Sequence, residues 1–219
     1  MPHTAVPASE LTARLNELRR VMSATHPDWK MILLDNKIDL YYFTGTMQEG
    51  ALVITPDEAV LFVRHSYECA VRDSRFPDIR PLGSFRGIAS AFPEIPETVY
   101  VAARTMTLQK LTMLQKYLPF APSPIDGILS GLRSVKSEYE LDCMRHAGKI
   151  HAKVLETVAP ALLRPGLSEA RLCAEICTSM LDHGAMCISR YNQPAAEDVL
   201  GFSSFSENSL LPAALDGPS

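Results

Sequence analysis

No stretch of the chain is apolar for long enough to span a bilayer, and the N-terminal MPHTAVPASELTARL has no apolar core behind a positive region. The expectation is a cytoplasmic protein without a membrane partner. No Lys/Arg block and no basic helical stripe interrupts a net charge of −4 spread along the chain, so the electrostatic footprint of a nucleic-acid binder is missing. There is no glycine-rich phosphate loop, no Gly-x-Ser-x-Gly elbow and no Cys-His nucleophile pattern, which argues against three common catalytic classes. The five cysteines, at 69, 143, 173, 177 and 187, are odd in number and lie mostly inside helical patterns, as reduced buried thiols do and a disulfide framework does not.

What remains is a chain of 219 residues, 47% hydrophobic and 21% charged, enough for one large or two small globular domains. Ser9 is placed to cap a helix with Leu11, Leu15, Leu18 and Met22 on one stripe, ended by His26-Pro27-Asp28. A short apolar run, 29–34, and a compact segment, 37–43, follow. Ala51-Leu52-Val53-Ile54 and Ala59-Val60-Leu61-Phe62-Val63 flank Thr55-Pro56-Asp57-Glu58 and predict a hairpin. Residues 65–75 read as a helix, 79–82 as a strand, 86–92 as a poor helix, 98–102 as a strand and 107–118 as a good helix. This alternation predicts an α/β domain over 1–122, a mixed sheet flanked by helices. Pro119-Phe120-Ala121-Pro122-Ser123-Pro124, with Gly127 and Gly131, reads as the domain seam, so 123–135 is expected to be a linker.

The segment 136–185 carries the most information. Ser137 and Glu140 fit a capping box, and Leu141, Met144, Ala147, His151, Val154, Leu155 and Val158 recur at helical spacing. Pro160 is where that helix is expected to end. After Leu163-Arg164-Pro165-Gly166-Leu167, Ser168 and Glu169 open a second helix with Leu172, Cys173, Ile176 and Met180 on its apolar face and Gly184 as its stop. Beyond it, 186–189 and 201–206 are candidate strands and Asn192-Gln193-Pro194 a turn.

A helix opening on Lys-Ser-x-x-Glu, then Pro-Gly-x-Ser-Glu, then a second helix ending before Gly resembles the start of the catalytic domain in the creatinase, aminopeptidase P and prolidase group. The run Asp35-Asn36-x-x-x-x-Tyr41-Tyr42-Phe43-Thr44-Gly45 before a Leu-Val-Ile strand resembles the entry to the N-terminal domain of the same group. The resemblance implies a creatinase-like N-terminal domain and then, over 136–219, the first part of an α+β pita-bread catalytic domain. It implies a metallohydrolase of the Xaa-Pro peptidase type, with two divalent ions (Mn, Co or Zn) held by two Asp, a His and two Glu that lie downstream of the matching segment. The expectation is therefore a truncated member with no catalytic and no metal-ligating residue of its own, inactive alone. Near the end, Asn208-Ser209 before Pro212 resembles the family's substrate-side segment and implies a substrate-binding role for Asn208. Many prolidase-like members place a histidine after that proline, where this chain has Ala213.

The other charged and metal-ligating candidates have plainer readings. His146 and His151 project about 140° apart on a helix and do not chelate together. Cys173 and Cys177 share a helical face with no second pair to complete a zinc site. Asp182-His183 suits a helix C-terminus; Arg164, placed to cap carbonyls or touch a partner, reads by default as solvated charge, and Arg64-His65 and Arg72-Asp73-Ser74-Arg75 as a solvated surface. Glu207 and Asp216 are the only carboxylates from 201 onward, so any ligand set within the chain would have to come from Asp35, Asp39, His65, Glu68, His146 and His151. The alternative to a hydrolase portion is a non-catalytic module of the same fold that binds a peptide or a protein. In either case the uncovered apolar helix faces predict a homo-oligomer.

Overall fold

Three short strands running the same way, Ile32–Leu34 (β1), Thr98–Val101 (β5) and Ala121–Pro124 (β6), form one side of a sheet whose other side is the hairpin Gly50–Ile54 (β2) and Ala59–Val63 (β3) plus Ile79–Pro81 (β4). The computed structural model describes residues 5–190, 197–199 and 204–210. The chain divides into two units, Pro2–Val135 and Lys136–Ser219. In the first, strand order is β4-β3-β2-β1-β5-β6, with β1 and β3 antiparallel to β2 and the outer pairs parallel.

The hairpin forms where the turn signal places it. The Thr55 hydroxyl accepts the Glu58 N–H and the Thr55 N–H donates to the Glu58 carbonyl, closing the turn with Ile54 opposite Ala59. Every residue of β1 and β2 is buried, as expected of strands covered on both faces. Met31, Leu33, Val53, Val60, Phe62 and Val101 share one core with Ile88 of Arg86–Ala91 (α4) and Leu114 of Leu108–Gln115 (α5). The alternate residues Ile32, Leu34, Leu52, Ile54 and Leu61 are as fully buried and point to the other face. The stripe Leu11, Leu15, Leu18 and Met22 of Ala8–Thr25 (α1) is buried as its spacing predicts, as are Leu40 and Phe43 of Lys37–Thr44 (α2). The remaining helix of the early chain is Tyr67–Asp73 (α3).

Two expectations are corrected here. Ser9 does not cap α1: Pro7 holds the N-cap position without a side-chain bond, and its carbonyl accepts from Leu11. The stretch 123–135 is no linker, since it carries the end of β6 and the helix Asp126–Ser134 (α6), which packs on α1. The prolines are compatible with a strand because β6 is an edge. Ala121 and Ile125 donate to Glu97 and Val101, leaving Pro122 and Pro124 at alternate positions whose missing N–H points away from β5. Gly127 and Gly131 sit where an added Cβ meets nothing, on the outer side of α6. Pro81 occupies the matching outward position on β4, the opposite edge, where its neighbour Leu82 donates inward to Val63.

In the second unit, the capping box of Ser137 and Glu140 starts the helix Glu138–Lys153 (α7) as expected. The helix does not stop at Pro160. It passes through a π-helical turn, Val154–Val158, into a last turn, Ala159–Leu162 (α8). Pro160 has no N–H for Glu156, and its ring would press on that carbonyl; the wider turn, closed by Ala159 N–H on the Val154 carbonyl, takes up the misfit. The Ser168 hydroxyl accepts the Arg171 N–H to open Glu169–Asp182 (α9). At its end Gly184 adopts φ +83°, the Ala185 N–H reaches the Met180 carbonyl, and the Gly184 N–H reaches that of Leu181. This is a Schellman stop.

The unit's small core is Ile150, Val154 and Met180, with Val158, Ile176, Ala185 and Cys187 against it. The apolar stripe of α7 lies uncovered at Met144, Ala147 and Leu155, with His151 exposed beside it, as expected of a face with no sheet against it, while Ile150 and Val154 near the helix end are buried. Ile188–Arg190 (β7) pairs antiparallel with Glu197–Val199 (β8). Of the expected strand 201–206, Ser204 and Phe205 have no regular structure and Ser206 begins a 3-10 turn, Ser206–Leu210. Gly201, the turn Asn192-Gln193-Pro194, Ala213 and Asp216 lie outside the described residues.

Candidate functional site

The carboxyl ends of parallel strands are where open α/β sheets gather polar groups, and here β1, β5 and β6 end side by side. Asp35 and Asn36 follow β1, Ala103 and Arg104 follow β5, and Asp126 follows β6 at the start of α6. Asn36 caps α2, its side-chain oxygen accepting the Ile38 N–H at 2.8 Å, and its amide donates to Asp39 Oδ2 at 2.7 Å. Arg133, in the last turn of α6, donates through Nη1 to Asp39 Oδ1. Lys110 of α5 pairs with Asp35 Oδ2 at 2.7 Å, and Asp126 accepts the N–H groups of Ala103 and Arg104 at 3.0 and 3.1 Å.

Asp39 is 1% exposed, and burial pushes its carboxyl up to about 6; Arg133 opposes the shift, while Asp126 and Asp35 add to it. Asp35 Oδ1 is buried without a hydrogen bond. The rest of the Tyr41-Tyr42-Phe43-Thr44-Gly45 run is also structural. The Tyr42 hydroxyl donates to the Leu132 carbonyl, Arg14 lies 4.3 Å over the Tyr42 ring and donates to its carbonyl, and Gly45 turns the chain at φ +73°.

These groups do not fit the metal pair that the resemblance implies. Two bridged ions need several carboxylates and an imidazole converging on open space. Here each carboxylate already faces a cation, an amide or backbone N–H groups, and among the described residues no three His, Cys, Asp or Glu side chains stand close enough to hold a metal. Asp35 and Asp39 therefore belong to an ion-pair network. His65 stands 3.9 Å from Glu49, Glu68 lies in the first turn of α3, and His146 and His151 are exposed on α7.

Asn208 lies in the 3-10 turn, exposed, and its amide donates to Glu169 Oε2 at 3.0 Å. Glu169 also accepts the Phe205 N–H through Oε1, so the first residue of α9 holds the segment carrying Asn208. Arg164 stays at the surface, where Nη1 donates to the Leu162 carbonyl at 2.8 Å and Nη2 pairs with Glu175 at 3.1 Å. Arg164 and then Arg171 hold the Glu175 carboxyl below its ordinary range. The His183 ring meets the Ser179 carbonyl at 2.7 Å, the helix-end role its position predicts. Arg64 pairs with Glu49 and Arg72 with Asp73 at the surface. Glu207 is exposed, and Cys173 and Cys177 are half-buried on α9.

The network residues that sequence reasoning missed are Lys110, Asp126 and Arg133. Each lies in a different element from its partner, and no local pattern marks it.

The family model of the creatinase/prolidase N-terminal domain matches residues 14–135. No curated protein sequence matches the chain. Among solved structures, an Xaa-Pro dipeptidase from Bacillus anthracis superposes with a TM-score of 0.72 at 20% identity, covering 82% of this chain and 51% of that one. A prolidase from Pyrococcus furiosus gives 0.67 at 22%, covering 78% and 53%, and the dipeptidase PepE from Mycobacterium ulcerans 0.68 at 21%, covering 84% and 53%. The chain thus spans about half the length of the structures it resembles. At these identities the likeness shows the fold, and the family match, which takes in more than half of the chain, shows its kinship: the chain belongs to the creatinase/prolidase N-terminal domain family.

Proposed function

We propose that this chain is the N-terminal portion of a metal-dependent hydrolase of the Xaa-Pro peptidase or creatinase type, working in the cytoplasm. The observation that carries the proposal is the extent of the likeness, which covers 78–84% of the chain, more than the family domain ending at 135, and so includes part of the second unit. In this reading the portion scaffolds, and residues outside the chain hold the Mn, Co or Zn pair and the scissile bond. By itself the chain neither binds that pair nor turns over substrate, and Asn208 is a substrate-side residue only when the rest is present. The test is calorimetric titration of the purified chain with Mn, Co and Zn, alongside assays on Xaa-Pro dipeptides and creatine. No tight stoichiometric binding and no turnover are expected; two tightly bound ions or activity that survives purification overturns the reading.

A second reading, a peptide- or protein-binding module without catalysis, is favoured by one observation. Met144, Leu155, Leu163, Leu181 and Met186 of the second unit are each more than half exposed, an unusual concentration of large apolar side chains. In either reading the chain self-associates through that surface. Light scattering checks this, and a monodisperse monomer at high concentration counts against it.

A further inference from the structure

Three of the five cysteines lie on or against α9, Cys173 and Cys177 within the helix and Cys187 beside its middle. Cys173 and Cys177 lie one turn apart on the helix, and Cys187, just before β7, donates through its thiol to the Cys177 carbonyl at 3.4 Å. It also lies against the Cys177 thiol and packs on the core of Ile150, Val154 and Met180. The Gly184 stop turns the chain back on α9 and so brings position 187 beside 177. The three do not form a metal site, since no such group among the described residues is close enough to hold an ion.

We propose that Cys177 and Cys187 are a redox pair, which a peroxide converts to a disulfide that fastens the start of β7 to α9. The chemistry closes without a further reactant. The Cys177 thiolate attacks one peroxide oxygen and breaks the O–O bond, giving a sulfenic acid and hydroxide, which takes up the thiol's proton as water. Cys187 then attacks the sulfenyl sulfur, the S–O bond breaks, and the second proton leaves with that oxygen as water. Two thiols are oxidised by two electrons, and one peroxide is reduced to two waters.

The order of attack follows from the surroundings. Burial first, then the hydrogen bond with Cys177 and the neighbouring Cys177 and Cys173 sulfurs, push the Cys187 thiol up to about 11. Cys187 therefore stays protonated and is slow to meet peroxide directly, which leaves Cys177 to be oxidised first and makes proximity, not acidity, what brings Cys187 into the second step. Once Cys177 carries the oxygen, Cys187 is already in contact.

The experiment uses the whole chain, oxidised with hydrogen peroxide near neutral pH and then alkylated. Titrated under denaturing conditions, free thiols fall from five to three. Arg171 and Arg190 bound one tryptic peptide holding Cys173, Cys177 and Cys187, which Asp182 and Glu175 divide, so further cleavage at those acids assigns the bond. A link between the fragments carrying Cys177 and Cys187, kept in Cys173→Ser, lost in Cys187→Ser and in Cys177→Ser, and absent when the chain is oxidised in urea, is the expected result. A Cys173–Cys177 link in the native wild-type chain, or five free thiols after oxidation, overturns the proposal without any variant having to fold.

Discussion

Arg133 reaches back 94 residues to donate to Asp39, joining the last turn of α6 to the first turns of α2 across the carboxyl ends of the parallel strands. Because Asp39 is buried, removing its partner strands a charge. Arg133→Met is expected to destabilise the first unit by about 3–5 kcal/mol at neutral pH, measured by urea unfolding. The loss should shrink in acid, where Asp39 is neutral. A loss of the same size at low and neutral pH would show that the arginine contributes packing alone.

The same carboxylate predicts a pH dependence. Its folded value, about 6, lies above the ordinary 3.8, so the folded chain holds that proton more tightly than the unfolded chain does. Stability from this group is full below about pH 4 and fades as pH rises through about 6, by roughly 2–3 kcal/mol. Measured against Asp39→Asn, which has no such proton, the wild-type chain should lose that margin between acid and neutral pH. A flat difference would mean that Arg133 holds Asp39 ionised throughout.

Gly50 tests the sheet. A Cβ there would stand 2.0 Å from the Phe62 carbonyl oxygen, a backbone atom of the paired strand that cannot swing aside. Gly50→Ala should therefore leave the first unit unfolded or insoluble, whereas Gly83→Ala, whose added carbon meets nothing, should change stability by about 0.5 kcal/mol or less. Circular dichroism and soluble yield separate the two.

Much of this architecture is legible in neighbouring residues. The hairpin, the α1 stripe, the Ser137–Glu140 and Ser168 caps and the Gly184 stop all depend on contacts within a few positions, so local spacing foretells them. What was not legible is long-range or ambiguous in composition. Pro122, Pro124, Gly127 and Gly131 look the same in a linker as in an edge strand followed by a helix, and only pairing with β5 tells them apart. Pro160 predicts a helix end unless the backbone has room for a π turn. The pairing of Asp35 and Asp39 with Lys110 and Arg133 leaves no trace in spacing, because the tertiary fold alone brings those elements together.

The reassigned boundary leads to a proteolysis prediction. Residues 121–124 lie in β6 and 126–134 in α6, while Val135 is 78% exposed and precedes the cap at Ser137. Limited trypsin digestion should cut first at Lys136, releasing a fragment that ends there and keeps α6. Initial cleavage at Arg133 would mean that the Asp39 contact does not hold the helix in solution.

Capping offers a smaller, local check. Ser137→Ala removes the hydroxyl that holds the Glu140 N–H and should cost about 1 kcal/mol in the unfolding of the second unit, with Glu140→Ala costing a similar amount. The double variant should fall short of the sum, since the two bonds form one motif.

The prolines on the two outer strands bear on how the first unit meets other molecules. Pro81 on one edge and Pro122 and Pro124 on the other remove outward-facing donors, so an extended peptide laid along either edge would find hydrogen-bonding positions empty. Recognition by strand addition is disfavoured at both edges, and so is fusion of two copies' sheets into one. That leaves the helices and loops of this unit as the surfaces better suited to docking.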